Sequence, residues 1–296
     1  MNKNNIDIVF FHYPCQDGLS SAWIVYYYYK LYNKKIELIP IHYGDNFNYN
    51  FRNKNILFVD FSPNDIIILD LIKNNNIYIL DHHISEKVRM EKYDFAKIDI
   101  TKSGVRLTWE YFFDYDIPIF LEMIEDRDLW KFRIKDTVNF CEGLYFSCNC
   151  LETIEEKLTL FDKLIIKQDI EIENYIKLGS IFNLKKNIKI KNIISNIKKY
   201  KFRGYNVCMY NCSHEMASDI GNALISNLCD LAILWHYDHN NEEYIYSLRS
   251  KNIDCSKLAK ELLSGGGHLN AAGGKSKYHP TELFNDNNEN KLFFIV

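Results

Sequence analysis

Apolar residues form short and long runs that alternate along about the first 130 residues of the chain. The short runs are rich in Ile, Val, Leu and Phe, as buried strands are, whereas the longer runs have the spacing of amphipathic helices. Strands that alternate with helices favour βαβ units, in which right-handed crossovers build a parallel sheet. In order, the runs are IDIVFFH, LSSAWIVYYYYKLY, IELIPIHY, NILFVDF, NDIIILDLIK and NIYILDHH. The pattern therefore predicts an α/β fold with a parallel sheet in the amino-terminal part of the chain.

Polar residues and proline mark where the predicted helices begin. Ser62 followed by Pro63 resembles an N-cap with proline in the first turn, so a helix is expected directly after the strand NILFVDF. Farther along, amphipathic segments predict helices at about residues 104–114, 118–130 and 152–182. These helices are expected to flank the sheet.

A second cycle of strands and helices follows in the carboxyl-terminal part of the chain. Before it, residues 183–203 are polar and lysine-rich with irregular isoleucine spacing, which is typical of a connecting helix or linker. In the cycle itself, DLAILWHY and YIYSLRS are joined by the charged turn DHNNEE, which predicts a hairpin. We therefore expect one domain at residues 1–182, a linker at 183–203 and a smaller α/β domain at 204–296, with a last strand at LFFIV.

Composition and charge limit the classes of partner. The 296 residues are 47% hydrophobic and 25% charged with a formal net charge of -3, which gives no overall attraction to polyanions and disfavours long duplexes as partners. The apolar run near the amino terminus is too short for a signal peptide, and no run reaches the roughly 20 residues of a membrane span. A cytosolic protein without membrane contact is therefore expected. Of the 8 cysteines, Cys148 and Cys150 lack the spacing of a zinc site, and all except Cys15 are expected to be reduced, mostly buried thiols.

Candidate chemistry lies at the ends of the predicted strands, where loops at the carboxyl edge of a parallel sheet converge on ligands. The first strand ends in HYPCQDG, the third in VDFS and the fourth in DHH, and a later helix ends in EDRD. A lone Asp at a strand end is more often a helix cap than a metal ligand, but four such positions in one fold favour a metal site. Mixed imidazole and carboxylate ligands suit Mn2+ best, with Mg2+, Co2+ and Zn2+ as alternatives. Two such ions can activate a water for phosphoryl displacement, which predicts a metal-dependent phosphoester hydrolase.

Taken together and in order, seven motifs resemble those of the DHH family of phosphoesterases. The motifs are HYPCQDG, VDFS, DHH, SGVRLTWEYF, IEDRDLW, SLRS and GGGHLNAAGG, and the resemblance covers His12 to about Phe132 and about Tyr205 to Lys275. That family includes RecJ-like exonucleases, oligoribonuclease-like enzymes, cyclic-dinucleotide phosphodiesterases and exopolyphosphatases. The resemblance implies a DHH catalytic domain with two metal ions and a DHH-associated substrate-binding domain, with the active site in the cleft between them.

The resemblance also implies which residues bind the metals. Asp17, Asp60, His82 and Asp126 would hold one ion, and His12 and Asp60 would hold part of the other. Asp60 would therefore bridge the two ions.

Four other residues in these motifs have supporting or open roles. Asp81 would orient an imidazole, and His83 would face the substrate phosphate as a catalytic group. Asp128 is a second candidate ligand, because DRD offers two carboxylates. Cys15 stands where the commoner family pattern has Asp, and it could bind metal weakly, select zinc or pack beneath the turn. The sequence leaves these alternatives open.

The carboxyl-terminal motifs imply a phosphate-binding surface. Arg249 suits a bidentate grip on phosphate. The backbone amides at Gly266 and Gly267 can approach an anion closely, and His268 adds a donor. Ser103 begins a predicted helix whose amino terminus could also meet an anion, although a plain N-cap fits equally well.

These features predict hydrolysis of phosphodiester bonds in short single-stranded oligonucleotides or in nucleotides. One alternative is an exopolyphosphatase-type hydrolase of phosphoanhydrides, although few basic residues accompany the glycine loop. Another is a catalytically degenerate member that binds nucleotides without turnover, which Cys15 motivates. No obligatory protein partner is indicated, and a homodimer is left open. The lysines between 185 and 201 could contact a nucleic-acid backbone, although such a run is more often a solvated face.

Overall fold

The first compact unit, Met1–Leu184, is built on a parallel sheet. In the computed structural model, which describes residues 2–42, 49–284 and 286, the strands are β1 Ile8–His12, β2 Glu37–Ile41, β3 Asn55–Val59, β4 Asn76–Asp81 and β5 Ala96–Ile98. They lie in the order β2-β1-β3-β4-β5, and each neighbouring pair is parallel. This confirms the α/β fold with a parallel sheet that the alternation of strands and helices predicts.

Helices cover both faces of this sheet. They are α1 Gln16–Leu31, α2 Asp65–Leu71, α3 Ile84–Met90, α4 Gly104–Phe112, α5 Ile119–Asp128, α6 Thr137–Asn149, α7 Ile154–Ile166 and α8 Gln168–Asn196. Val9 and Phe11 of β1 belong to an apolar cluster with α1, α4, α5, α6 and α7, whereas Ile8 and Phe10 belong to a second cluster with α2 and α3. Because both faces are buried, the strands are nearly continuous apolar runs.

Two helix boundaries differ from the predicted ones. The helix expected directly after β3 begins instead at Asp65, because the side chain of Asn64 caps it. Ser62 is not this cap, since its hydroxyl donates to Asp81. The segment predicted as a single helix at 152–182 contains α7 and the first part of α8, which are separate helices.

The second compact unit, Lys185–Val296, has a mixed sheet. Its strands are β6 Lys199–Phe202, β7 Tyr205–Asn211, β8 Leu231–Asp238, β9 Glu243–Ser250, β10 Gly266–Gly267 and β11 Ala271–Ser276, and its helices include α9 His214–Asn227, α10 Cys255–Leu262 and α11 Pro280–Leu283. The order is β10-β11-β9-β8-β7-β6, with β7 and β8 parallel and the other pairs antiparallel. The predicted hairpin is present, since β8 and β9 pair with Asp238 opposite Glu243.

The segment predicted as a connecting helix or linker has regular structure over most of its length. Residues 183–196 belong to α8, and β6 follows as the edge strand of the second sheet. The last strand predicted at LFFIV lies outside the described residues. Within the described ranges, none of the helices combines the length and the apolar character needed to cross a bilayer.

Candidate metal centre

The carboxyl ends of β1, β3 and β4 bring acidic and imidazole side chains to one edge of the parallel sheet. β1 ends at His12, Asp60 directly follows β3, and β4 ends at Asp81, which His82 and His83 follow. After β1 the chain goes to β2 on one side and then to β3 on the other, so the strand order reverses here. In parallel sheets, this reversal opens a crevice at the strand ends where ligands bind.

Asp60 lies at the centre of these side chains. It is 1% exposed, and its backbone has a φ of 55°, a left-handed conformation that is strained for a residue with a side chain. Nδ1 of His12 lies 3.4 Å from its Oδ2, and Nε2 of His82 lies 3.2 Å from its Oδ1. Among the described residues, neither carboxylate oxygen accepts a hydrogen bond of ordinary geometry. A buried carboxylate in this state is costly unless a cation compensates it.

Two sets of potential ligand atoms share Asp60. One set consists of Asp17, Asp60 and His82, which are all buried, and the other consists of His12, Asp60 and His83. Within each set, one ligand atom from each residue lies within 4.8 Å of the others. Ligands that surround one divalent ion at about 2.0 to 2.3 Å have comparable separations. Each set can therefore hold one cation.

A third carboxylate reaches the first set through His82. Nε2 of His82 lies 3.5 Å from Oδ2 of Asp128, 3.5 Å from Oδ2 of Asp17 and 3.2 Å from Oδ1 of Asp60. Three carboxylates thus converge on one imidazole nitrogen. Asp128, a second candidate in the sequence, is brought to the cluster by the end of α5.

Asp126 has a different position from the predicted one. Its Oδ1 accepts the backbone N–H of Arg133 at 2.8 Å, and its Oδ2 accepts the N–H of Ile134 at 3.1 Å and the hydroxyl of Thr137 at 2.7 Å. Within the described residues, Asp126 belongs to neither ligand set. Its carboxylate closes the loop that leads into α6, whereas the carboxylate of Asp128 reaches His82, and the ligand role expected for Asp126 stays a prediction.

The amino terminus of α4 holds Asp17 in place. The backbone N–H groups of Gly104 and Val105 donate to its two carboxylate oxygens at 2.6 and 2.8 Å. A β-carbon at Gly104 would lie 2.7 Å from Cβ of Asp60, so this close approach requires glycine. Ser103 is fully buried, and its hydroxyl accepts a backbone N–H of the first helical turn. Ser103 is therefore an N-cap, the alternative that the sequence left open, and Asp17 is the anion at this helix start, while a phosphate-binding role for Ser103 stays a prediction.

Asp81 anchors the imidazole of His83. It is fully buried, its Oδ1 lies 2.7 Å from Nδ1 of His83, and its Oδ2 accepts the hydroxyl of Ser62 at 2.5 Å. A carboxylate behind an imidazole sets the ring orientation and the tautomer. The structure thus places Asp81 where an orienting carboxylate is expected. His83, expected to face substrate, lies in a ligand set, with a side chain that is 22% exposed.

The charges in the cluster shift one another's protonation. Burial alone would lower the pKa of His82, but Asp128, Asp60 and Asp17 raise it to about 11. Burial raises the pKa of Asp17, and repulsion from Asp128 and Asp60 adds to this. Burial would likewise raise the pKa of Asp60, but the imidazoles of His12 and His82 lower it well below its usual range. Buried carboxylates that repel one another, together with imidazole nitrogens, form a donor set that fits divalent cations.

Cys15 lies beside the two ligand sets. It precedes the first turn of α1, and its side chain makes no capping hydrogen bond. Burial, followed by the negative charges of Asp60 and Asp128, raises the pKa of its thiol well above the usual value. Within the described residues, Cys15 belongs to neither ligand set.

His42 is a nearby residue that the sequence analysis does not single out. Its ring centroid lies 5.9 Å from that of His12. The reason is the strand register, because Ile41 at the end of β2 pairs with His12 at the end of β1. The signal in the sequence is the histidine that directly follows the strand IELIPI.

The candidate phosphate-binding residues lie in the second unit. Arg249 is in β9, where its guanidinium donates to the carbonyl of Leu248 and to the hydroxyl of Ser218, both at 2.8 Å. Burial lowers the pKa of Arg249. Ala271 is its partner in the strand register, so the loop that precedes β11 lies next to Arg249.

The glycine loop itself is an ordered turn. Gly266 and Gly267 form β10 and pair with β11. Gly267 has a φ of 140°, and a β-carbon there would lie 2.7 Å from Cα of Ala272. The backbone N–H of His268 donates to the carbonyl of Ala271 at 2.7 Å. The loop therefore brings Gly266, Gly267 and His268 close to the strand that carries Arg249.

Comparison with known sequences identifies relatives of the whole chain and of its second unit. Residues 205–291 match the DHHA1 domain family. An uncharacterized protein of Acanthamoeba polyphaga mimivirus is 34% identical to this chain over an alignment of 300 residues. The alignment covers 92% of this chain and 68% of that protein. A 3',5'-cyclic-nucleotide phosphodiesterase of Helicobacter pylori is 25% identical to this chain over an alignment of 247 residues. The alignment covers 69% of this chain and 68% of that enzyme.

Solved structures share the fold. An exopolyphosphatase-related protein from Bacteroides fragilis has a TM-score of 0.55 at 19% identity, with 94% of this chain and 89% of that chain covered. RecJ from Thermus thermophilus, in complex with Mn2+, has a TM-score of 0.52 at 11% identity, with 95% of this chain and 50% of that chain covered. Together with the DHHA1 match and the 34% identical relative, these findings show that the chain belongs to the DHH family of phosphoesterases.

Proposed function

We propose that this protein is a divalent-metal-dependent hydrolase of phosphodiester bonds in short single-stranded oligonucleotides or in nucleotides. The observation that carries the proposal is the presence of Asp60 in both ligand sets. A carboxylate shared by two sets is the arrangement expected for two cations about 3.5 to 4 Å apart. The relative named as a cyclic-nucleotide phosphodiesterase supports phosphodiester chemistry.

The residues that would hold the two cations lie in or directly after five elements of the first unit. They are Asp17, Asp60, His82 and Asp128 for one cation, and His12, Asp60 and His83 for the other. Mn2+ fits this mixture of oxygen and nitrogen donors best, and Mg2+, Co2+ or Zn2+ are alternatives. When bound, the two cations would supply charge neutralisation at the phosphate and activation of a water.

The chain's own residues prepare the cluster for substrate. Asp81 fixes the ring of His83, and the N–H groups at the start of α4 fix Asp17, so ligands are oriented before substrate arrives. The side chains of His12 and His83 are 19% and 22% exposed, whereas Asp60 is 1% exposed. The side chain of Asp128 is 24% exposed as well, so a substrate phosphate would approach the cluster from the side of His12, His83 and Asp128.

Arg249 and the glycine loop would hold another phosphate of the substrate. A guanidinium has five N–H donors, and Leu248 and Ser218 engage two of them within the described residues. The remaining donors can grip a phosphate, with the amides of the loop and the ring of His268 beside them.

A short labelled oligonucleotide tests the proposal. We expect the full-length protein with Mn2+ to cleave an oligonucleotide of about 5 residues, and Asp60→Asn to reduce the rate by at least about 10^3-fold because both ligand sets lose their shared charge. Asp65→Asn is the matched control, since Asp65 is a partly exposed carboxylate of the same unit that pairs with Arg89 and Lys92. A folded protein that binds nucleotide but cleaves nothing with any of the four cations would be the degenerate member considered above.

Hydrolysis of polyphosphate is the second candidate, because an exopolyphosphatase-related protein shares the fold. The second unit gives it less support. Lys275, which directly follows the segment GGGHLNAAGG, lies 2.8 Å from Glu243 in an ion pair. Measuring orthophosphate released from polyphosphate against mononucleotide released from an oligonucleotide, at equal enzyme and Mn2+, separates the two candidates.

A further inference from the structure

A groove in the second unit lies apart from the residues assigned above. It is a cavity of about 360 Å³ between the end of α8 and β7. Its polar and aromatic lining residues come from both walls and from the turn after the helix, and they include Lys189, Asn192, Asn196, Lys198 and Tyr210. We refer to this cavity as the lysine groove.

The segment that forms one wall of the lysine groove carries charge of a single sign. Residues 185–203 contain seven lysines, one arginine and no aspartate or glutamate, in a chain whose formal net charge is -3. A lysine-rich run on its own is more often a solvated face, but here Lys189 and Lys198 of the run line a cavity, as in a surface that binds the opposite charge. The segment therefore favours a polyanionic partner.

Most of these positive charges are not neutralised by the protein. Lys186 lies 2.7 Å from Asp219, and Arg203 pairs with Glu261. The other six are exposed and make no ion pair with the part of the chain that the structure describes; they are Lys185, Lys189, Lys191, Lys198, Lys199 and Lys201. Six exposed cations on one short segment produce a local positive field despite the net negative charge of the chain.

Helix and sheet stability explain only some of the lysines. Lys198 and Lys199 follow the carboxyl end of α8, where the helix dipole favours cations. Lys199 and Lys201 lie in the edge strand β6, where charge discourages pairing with another chain. Neither reason applies to Lys189, which lies on the same side of α8 as Asn192, beside the cavity.

We propose that the lysine groove binds single-stranded nucleic acid. Its lysines would contact phosphates, the ring of Tyr210 would stack on a base, and the amides of Asn192 and Asn196 would hydrogen-bond base edges. A cavity of this size accommodates about one nucleotide. The bases of a duplex are paired and could not stack on the ring of Tyr210. A chain of inorganic phosphate has no base to stack on this ring. This proposal goes beyond the proposed function, because binding in the groove requires no turnover at the metal cluster.

Binding without catalysis tests the lysines. Fluorescence anisotropy of a labelled single strand of about 12 nucleotides is measured on the full-length protein in EDTA, between about 50 and 200 mM salt. We expect Lys189→Ala combined with Lys198→Ala to raise Kd at least about tenfold and to reduce the slope of log K against log salt by about 1.4, which is about 0.7 for each phosphate contact.

The matched control is Lys163→Ala combined with Lys167→Ala, which removes the same charge from exposed positions at the end of α7. We expect its Kd to stay close to the wild-type value. Because the assay contains EDTA and measures binding without cleavage, a failure of the groove and a failure of the proposed catalysis have different signatures. Wild-type affinity in the groove variant, or an equal loss in the lysine control, would overturn the proposal.

Substitution of Tyr210 tests the class of ligand. We expect Tyr210→Ala to weaken binding of the single strand about tenfold and Tyr210→Phe to restore it, because the ring rather than the hydroxyl stacks on the base. Binding of polyphosphate of matched charge should be the same in both variants. An equal effect of Tyr210→Ala on polyphosphate, or tighter binding of a duplex than of the single strand, would contradict the assignment to single-stranded nucleic acid.

Discussion

The candidate metal cluster of the first unit and the anion-binding candidates of the second unit are built in opposite ways. In the cluster, Asp17 and Asp60 are 1% exposed and lie at the ends or starts of elements that pack in the core. In the second unit, the lysines of the groove are exposed, and Gly266 and His268 lie in a turn. Packed strand ends hold side chains in fixed positions, which the proposed catalysis requires, whereas an exposed surface supplies charge for binding. Substitutions should therefore have larger effects on cleavage in the first unit than in the second.

The two aspartates of DRD provide the strongest test of this contrast. We expect Asp128→Asn to lower the rate of oligonucleotide cleavage by about 10^2- to 10^3-fold, because it removes one of the carboxylates that converge on His82. We expect Asp126→Asn to leave Mn2+ binding intact and to reduce the free energy of unfolding by about 1 to 3 kcal/mol, because it weakens hydrogen bonds that close a loop. Activity assays of both variants measure the rates of cleavage, and thermal melts measure the loss of stability. The reverse pattern would restore the ligand assignment read from the sequence.

A smaller effect on metal binding is expected for residues that support a ligand without belonging to a ligand set. Asp81→Asn should weaken Mn2+ binding by about 10- to 100-fold, because the amide that replaces the carboxylate carries no negative charge to hold Nδ1 of His83. Ser62→Ala is the companion variant, since it removes only the hydroxyl that donates to the other oxygen of Asp81. Titration calorimetry with Mn2+ should rank wild type, Ser62→Ala and Asp81→Asn in that order of affinity. Equal affinities would mean that the imidazole needs no orienting carboxylate.

Backbone packing at the cluster predicts a further effect. Gly104→Ala would place a methyl group 2.7 Å from Cβ of Asp60 and 2.8 Å from Oδ2 of Asp17. We expect a loss of about 1 to 3 kcal/mol in the free energy of unfolding together with weaker Mn2+ binding, because the close contact forces both ligands to move. Gly204→Ala is the contrasting variant, since a β-carbon there meets nothing within 4 Å and only the φ of 82° opposes it. That variant should bind Mn2+ normally.

The smallest expected effect belongs to the second unit. Arg249→Lys keeps a positive charge but loses the planar fork, so we expect KM for a short oligonucleotide to rise about tenfold while kcat changes little. Steady-state kinetics with Mn2+ at saturation separate the two constants. A fall in kcat comparable to that of Asp128→Asn would break the distinction between a chemical first unit and a binding second unit.

The sequence predicts the sheet and most of the cluster for one physical reason. The buried strands are visible as apolar runs, and polar residues that end such runs must meet at the edge of a parallel sheet. This reasoning applies to His12, Asp60 and the residues of DHH, and the structure brings His12, Asp60, His82 and His83 into the two ligand sets. To predict that these residues lie together, one needs only the order and the direction of the strands.

Residues whose role depends on the turn of a helix or on a distant partner are harder to predict. Asp126 and Asp128 lie two positions apart in α5 and so point to different sides, and only packing decides which side meets the cluster. Ser103 begins a helix whose free N–H groups suggest an anion site, but Asp17, a residue from another element, already occupies it. Ser62 resembles an N-cap in the sequence, whereas its hydroxyl donates to Asp81. Each of these contacts joins residues far apart in the chain.

The central claim is that Asp60 is shared by two cations at the edge of the parallel sheet. Crystals of the full-length protein grown with Mn2+ test it most directly, through an anomalous-scattering map collected for wild type and for Asp60→Asn. We expect two Mn2+ peaks in the wild type, about 3.5 to 4 Å apart with Asp60 between them. In the variant, we expect both peaks to be weaker or absent. A single peak, or peaks beside Asp126 or Cys15 that do not touch Asp60, would contradict it.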